Sequence, residues 1–126
     1  MEAILTPKLA PYLVARDAPG LIRFIETAIG GRLSGTEVEP DGRIAHAEIR
    51  VEDGFVMIGE APPGRAPFPA MLHVYVRDSD TAYRRALEAG ATPVQPPTDR
   101  PDGQRRAGVR DRWGNEWWFS SPISKD

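Results

Sequence analysis

The sequence predicts an α+β fold built from two copies of one β-α-β-β-β module, and three observations carry that prediction. Residues 71–90 read as a strand, a capped helix and a stop. Leu72, Val74 and Val76 alternate with Met71, His73 and Tyr75, the two-residue period of a strand covered on both faces. Asp78, Ser79 and Asp80 then offer N-cap oxygens, and Ala82, Tyr83, Ala86 and Leu87 recur at helical spacing. Gly90 stands where a left-handed residue ends a helix. Residues 10–31 repeat that order, with Arg16-Asp17 in place of Arg77-Asp78, Leu21, Ile22, Ile25 and Ile29 on a helix face, and Gly30-Gly31 as the stop. The third observation is a constant offset of about 60 residues between Asp17 and Asp78, Gly30 and Gly90, and Gly54 and Gly114. With 12 glycines and 18 acidic residues single coincidences are expected, but not a shared order of strand, cap, helix and glycine.

At 126 residues the chain suits one domain, too short for two independent cores, so the modules must share one. Module one is expected over about 8–60, a Pro-rich linker over 61–69 and module two over about 70–121. A net charge of −2 from 16 basic and 18 acidic residues gives no pull toward nucleic acid or an anionic membrane. No apolar stretch approaches the length of a membrane span, and no basic segment followed by an apolar run opens the chain. The absence of cysteine removes disulfides and thiolate metal sites and suits a cytoplasmic protein.

In chain order, residues 1–7 form a lead-in, a first strand runs from about Lys8 to Val14, and a helix covers about 18–29. A second strand over 32–39 ends at the turn sequence 39–42. Residues 43–52 alternate clearly, with His46, Glu48 and Arg50 on one face and Ala45, Ala47, Ile49 and Val51 on the other. Asp53-Gly54 is a hairpin signal, and residues 55–60 return as the fourth strand. Four prolines within 61–69 oppose regular structure there. The second module follows as a strand over 71–76, a helix over 79–89 and a strand over 91–95. A Pro-rich loop over 96–104 and strands over 105–110 and 116–121 complete it. The last few residues are expected to fray.

Several phrases together resemble a known family: PYLVARDA at 11–18, DGRIAHAEIRVEDGFVMIGE at 41–60, LHVYVRDSDTAYRRALEAGATPVQPP at 72–97, DGQR at 102–105 and VRDRWGNEWWFSS at 109–121. They are similar to the PhnB-like branch of the glyoxalase/bleomycin-resistance superfamily, the vicinal oxygen chelate proteins. The resemblance implies two βαβββ modules curled into a mixed-sheet cup around a small organic ligand, in a homodimer. Metal-using relatives place ligands on the first and last strand of each module, which matches Ala10, Ile58, Met71 and Trp118 here. None of these side chains ligates a hard or borderline divalent metal, so no metal or other cofactor is expected. A metal-dependent glyoxalase, dioxygenase or fosfomycin-type transferase is disfavoured.

Placing those four positions in the cup sets the strand phases, and Tyr12, Val14, Val56, Glu60, His73, Tyr75, Glu116 and Ser120 are expected to line it. Leu72, Val74, Trp117 and Phe119 face the helices instead. Ligand-binding candidates are Tyr12, His46, Glu48, Met71, His73, Tyr75, Arg105 and Trp118, an aromatic set with polar groups that suits a flat organic ligand. Arg105 is placed there by its likeness to a Gly-Asp-Arg phrase of the family. An ion pair with Asp99 or Asp111 is the plainer reading of it. His46, Glu48 and His73, with Glu116, form the one plausible catalytic constellation, either an off-register metal site or a general acid/base set. Their bland alternative is hydrogen bonding between strands. The leading expectation is a metal-free binding protein that sequesters an aromatic or polycyclic ligand. The alternative is an isomerase, epimerase or lyase of the same fold acting on a carbonyl compound through His46, Glu48 and His73.

Overall fold

The structure is a computed structural model and describes residues 9–123. Lys8, given to the first strand by sequence, and the expected frayed end lie outside that range in part or whole. Module one comprises β1 (Tyr12–Ala15), α1 (Ala18–Phe24), a π-helical continuation (Ile25–Ile29), β2 (Arg32–Val38), β3 (Ile44–Val51) and β4 (Gly54–Glu60). Module two comprises β5 (Met71–Tyr75), α2 (Ser79–Glu88), β6 (Thr92–Asp99), β7 (Gln104–Arg110) and β8 (Glu116–Pro122). The two sheets have matching orders, β1-β4-β3-β2 and β5-β8-β7-β6, and neither closes. In each, the first strand runs parallel to the last and the other pairs are antiparallel. A parallel pair needs a crossover, and the helix between the first two strands begins it.

Both helices start and stop where their sequence dictates. Asp17 accepts a hydrogen bond from the Gly20 amide at 3.1 Å, and Asp78 accepts one from the Asp80 amide at 3.0 Å. Gly30 (φ 79°) and Gly90 (φ 108°) take the left-handed conformation at the far ends. Each sheet buries one face against the helices. Leu13, Ile49 and Ile58 from sheet one and Val74, Trp117 and Phe119 from sheet two join Leu21, Ile25 and Ala86 in one core. Burial of a side chain the size of Phe119 stabilises by about 2–3 kcal/mol. The modules meet where α2 packs on the π-helical turn, and Phe24 of α1 lies 6.1 Å from Trp113 and 6.5 Å from Trp117 between ring centres.

Three expectations need correction. The Pro96-Pro97 segment is strand, not loop, because β6 is the outer edge of its sheet and a proline there withholds a donor only from solvent. Register shifts around Gln95 absorb the rest. The linker is not structureless either: Ala61 donates to the Ala15 carbonyl at 2.9 Å, and Phe68 and Val14 exchange backbone hydrogen bonds.

The third correction concerns the phase of β4. Val56 and Ile58 were expected in the cup, yet both are buried in the core, and Ile58 pairs with Leu13 on the helix side. The opposite face carries Phe55, Met57 and Gly59, while Glu60 turns back to the backbone, accepting from the Ala18 and Ile44 amides at 3.0 and 2.9 Å. The cause lies in the hairpins. Glu52-Asp53 alone joins β3 to β4, whereas Asp111–Asn115 joins β7 to β8, so Gly54 opens a strand while Gly114 sits inside a turn. Tyr12 faces Met57 as His73 faces Trp118, and the partner of Trp118 in module one is therefore Met57, not Ile58.

Candidate functional site

Each sheet has one face away from the core, and most candidate residues lie on these two open faces. On sheet two, alternation along β5 puts Met71, His73 and Tyr75 outward, with the neighbouring strand β8 adding Glu116, Trp118 and Ser120 in direct register. Trp118 lies flat over Gly108 of β7. A Cβ there would stand 2.8 Å from the indole, so only glycine admits the ring. The indole N–H donates to Glu116 at 3.1 Å, and Arg110 donates to the other oxygen of the same carboxylate at 2.6 Å. Those two bonds hold the Glu116 carboxyl below its ordinary range, the indole contributing first. The His73 and Tyr75 rings lie 4.9 Å apart.

His73 is tied from below. Its Nε2 is 2.7 Å from the hydroxyl of the buried Ser120, and Arg106 Nε–H donates to the same hydroxyl at 3.0 Å. Ser120 therefore accepts from arginine, and its second lone pair and its proton allow the contact with Nε2 in either tautomer of His73. Burial of this edge, and then the positive charge of Arg106, push the His73 pKa below its usual value, with Asp102 opposing them. Asp102 accepts from Arg106 at 2.8 Å, and that bond lowers its own pKa.

Arg106 stands on the open face though it was not among the sequence candidates, whereas the candidate Arg105 stands on the helix side. Arg105 pairs in register with Ser121, whose hydroxyl accepts from the Ser79 amide on the helix side. There its guanidinium donates to Asp80 at 2.7 Å and to Asp99 at 2.9 Å, which raises its pKa further. The ion pair with Asp99 that the sequence offered for Arg105 is present. Ala107 and Val109 are the apolar, core-facing alternation of β7, and that pattern assigns Arg106 and Gly108 to the open face.

Sheet one presents Tyr12 from β1, His46, Glu48 and Arg50 from β3, and Phe55, Met57 and Gly59 from β4. Tyr12 leans over Gly59, where a Cβ would stand 2.6 Å from its hydroxyl, and donates to the Ala45 carbonyl at 3.2 Å. Its ring centre is 5.8 Å from that of His46. Arg50 covers the Phe55 ring at 5.3 Å. The structure thus brings Tyr12 to His46 and His73 to Tyr75, Ser120 and Trp118. Among the described residues no hydrogen bond or ring contact joins the two groups. His46 and Glu48 stand on one sheet and His73 on the other.

With the register corrected, the positions at which metal-using relatives hold a metal carry Ala10, Met57, Met71 and Trp118. No carboxylate or imidazole is among them, so these residues do not fit a hard or borderline divalent ion. Among the described residues, no three acidic or histidine side chains come together in an arrangement that holds a metal ion. No helix among them is long and apolar enough to cross a membrane.

Paired β-α-β-β-β modules, each with one open sheet face, define a recognised class. A family model described as the Glyoxalase/Bleomycin resistance protein/Dioxygenase superfamily matches residues 8–119, and the chain belongs to that superfamily. An uncharacterised protein of Mycobacterium bovis is 32% identical over 128 residues, covering 93% of this chain and 84% of the relative. Among solved structures, TioX from Micromonospora sp. ML1 superposes with a TM-score of 0.77 at 27% identity, covering 94% of this chain and all of that one. The fosfomycin resistance protein FosX from Mesorhizobium loti shares the fold, with a TM-score of 0.65 at 14% identity over 96% of this chain and 95% of its own.

Proposed function

We propose that the protein is a metal-free small-molecule binding member of the superfamily, cytoplasmic and of the PhnB-like branch. It sequesters a flat aromatic or polycyclic compound in a cup that a homodimer completes. One observation carries the reading: both open faces hold an aromatic ring laid over a glycine, Tyr12 over Gly59 and Trp118 over Gly108, where metal-using relatives have ligands close by. Such platforms offer flat apolar area at low conformational cost. Tyr12, Met71 and Tyr75 are 42%, 69% and 67% exposed in the single chain, and a second copy covering these faces would remove that exposure. The PhnB assignment rests on the phrase resemblance and on a fold likeness to a Bacillus cereus PhnB protein, TM-score 0.71 at 13% identity.

Two measurements test it. Protein incubated with zinc, nickel, iron and manganese and then desalted is expected to retain no metal. Retention of roughly one ion per chain overturns the reading. In a screen of polycyclic compounds followed by tryptophan emission, a Tyr12→Ala, Trp118→Ala double variant is expected to lose about tenfold or more in affinity for any binder. Unchanged affinity removes the cup as the site. A second reading, an isomerase, epimerase or lyase, draws support from His73, whose lowered pKa keeps an unprotonated nitrogen at neutral pH. Full turnover in a His46→Ala, His73→Ala variant would sink it.

A further inference from the structure

Beneath the Pro-rich linker lies a cavity of about 550 Å³, bounded by Tyr12, Arg43, Glu60, Arg65 and Phe68. Its roof is fixed in place. Ala61 is bonded to Ala15, a turn closes from Arg65 N–H to the Pro62 carbonyl at 3.0 Å, and Phe68 is bridged to Val14. Two guanidinium groups and one carboxylate border the space. Both oxygens of Glu60 are engaged by the backbone amides of Ala18 and Ile44, so that carboxylate is not hydrogen-bonded to either arginine. Arg43 Nε is buried without an acceptor. Its nearest carboxylate, Asp41, is 3.8 Å away, too far for a hydrogen bond. Arg65 makes no ion pair among the described residues. The cavity is therefore met by other atoms of Arg43 and by Arg65, and guanidinium groups that border a space without a hydrogen-bonded carboxylate are matched best by an oxyanion.

We propose that this cavity seats the anionic group of a small organic oxyanion, with Arg43 and Arg65 on the charge and Tyr12 and Phe68 on its apolar body. The inference rests on the binding reading above and gives the ligand a charge. The volume suits a body of one or two rings. Tyr12 belongs to both the cavity and the open face of sheet one, so the charged end lies under the linker and the rings extend along the sheet.

The test uses 2-naphthoate and its uncharged amide, 2-naphthamide, as probes of the parent protein and an Arg43→Met, Arg65→Met variant. The acid is expected to bind the parent about tenfold tighter than the amide, and the variant is expected to bind both alike. In the parent, the Arg43 Nε–H resonance is expected to move with the acid and stay still with the amide, a readout independent of how well the variant folds. Equal binding of acid and amide to the parent, or an acid preference that survives in the variant, overturns the anion pocket and leaves the binding reading standing. If neither probe binds, the anion pocket falls, and the wider polycyclic screen then decides the binding reading.

Discussion

The two modules share strand order, pairing directions and an aromatic ring over glycine, yet they treat their charges differently. In module two Arg105, Arg106 and Arg110 each donate to a carboxylate within 2.9 Å. Module one has only the loose Arg43–Asp41 contact among the described residues. Each module also spends one carboxylate on its own scaffold, in different places. Asp111 accepts four hydrogen bonds, from the Trp113 and Asn115 amides, the Asn115 side chain and the Trp117 indole, and so rigidifies the second hairpin. Glu60 instead ties the start of α1 to the start of β3. The two modules thus keep one backbone pairing pattern while the side chains that satisfy charge differ between them.

Variants at these anchors can break that comparison, beginning with the largest expected effect. Asp111→Ala leaves four donors without an acceptor in a buried site and is expected to cost about 4 kcal/mol in urea unfolding. A loss near that of a surface change would show the second hairpin to be held by something else. Ile58→Ala is expected to cost about 3 kcal/mol and Met57→Ala less than about 1 kcal/mol, since the first opens a cavity in the core and the second trims an open face. The reverse order would restore the phase that the repeat offset suggested. Glu60→Gln keeps one acceptor and opposes the other amide with its own N–H. It should cost about 1–2 kcal/mol and raise amide exchange at Ala18 or Ile44. The smallest effect concerns pH. The folded pKa of His73 lies below its unfolded value, so the unfolded chain binds the proton more readily, and this contribution is present above about pH 6.5 and lost on acidification. Stability followed by urea midpoint should therefore fall slightly more steeply below pH 6.5 in the parent than in His73→Gln. Arg106→Met should raise the His73 titration midpoint measured by NMR.

The repeat, both helices with their caps and the core faces of β3, β5 and β8 were legible because each rests on local periodicity and on Asp and Gly chemistry. Tyr12, His46, Glu48, Met71, His73, Tyr75 and Trp118 stand on the open faces for the same reason. The phase of β4 was not legible, because a two-residue and a five-residue turn can both bring glycine to the same offset. Pro96-Pro97 was hidden because proline is forbidden only where its missing donor has a partner, and position within the sheet is not a local property. Arg106 failed for a different cause: two adjacent arginines differ only in which way the pleat turns them.

That pair of edge prolines also bears on solubility. Exposed strand edges carry rows of unpaired donors and acceptors through which molecules add end to end into ribbons. On β6 the outward row is interrupted by proline and by a shifted register. The corresponding edge, β2, is exposed along its whole length but carries Arg32 and Glu37 and a register shift before Gly35. Both outer rims are therefore poor templates for polymerisation.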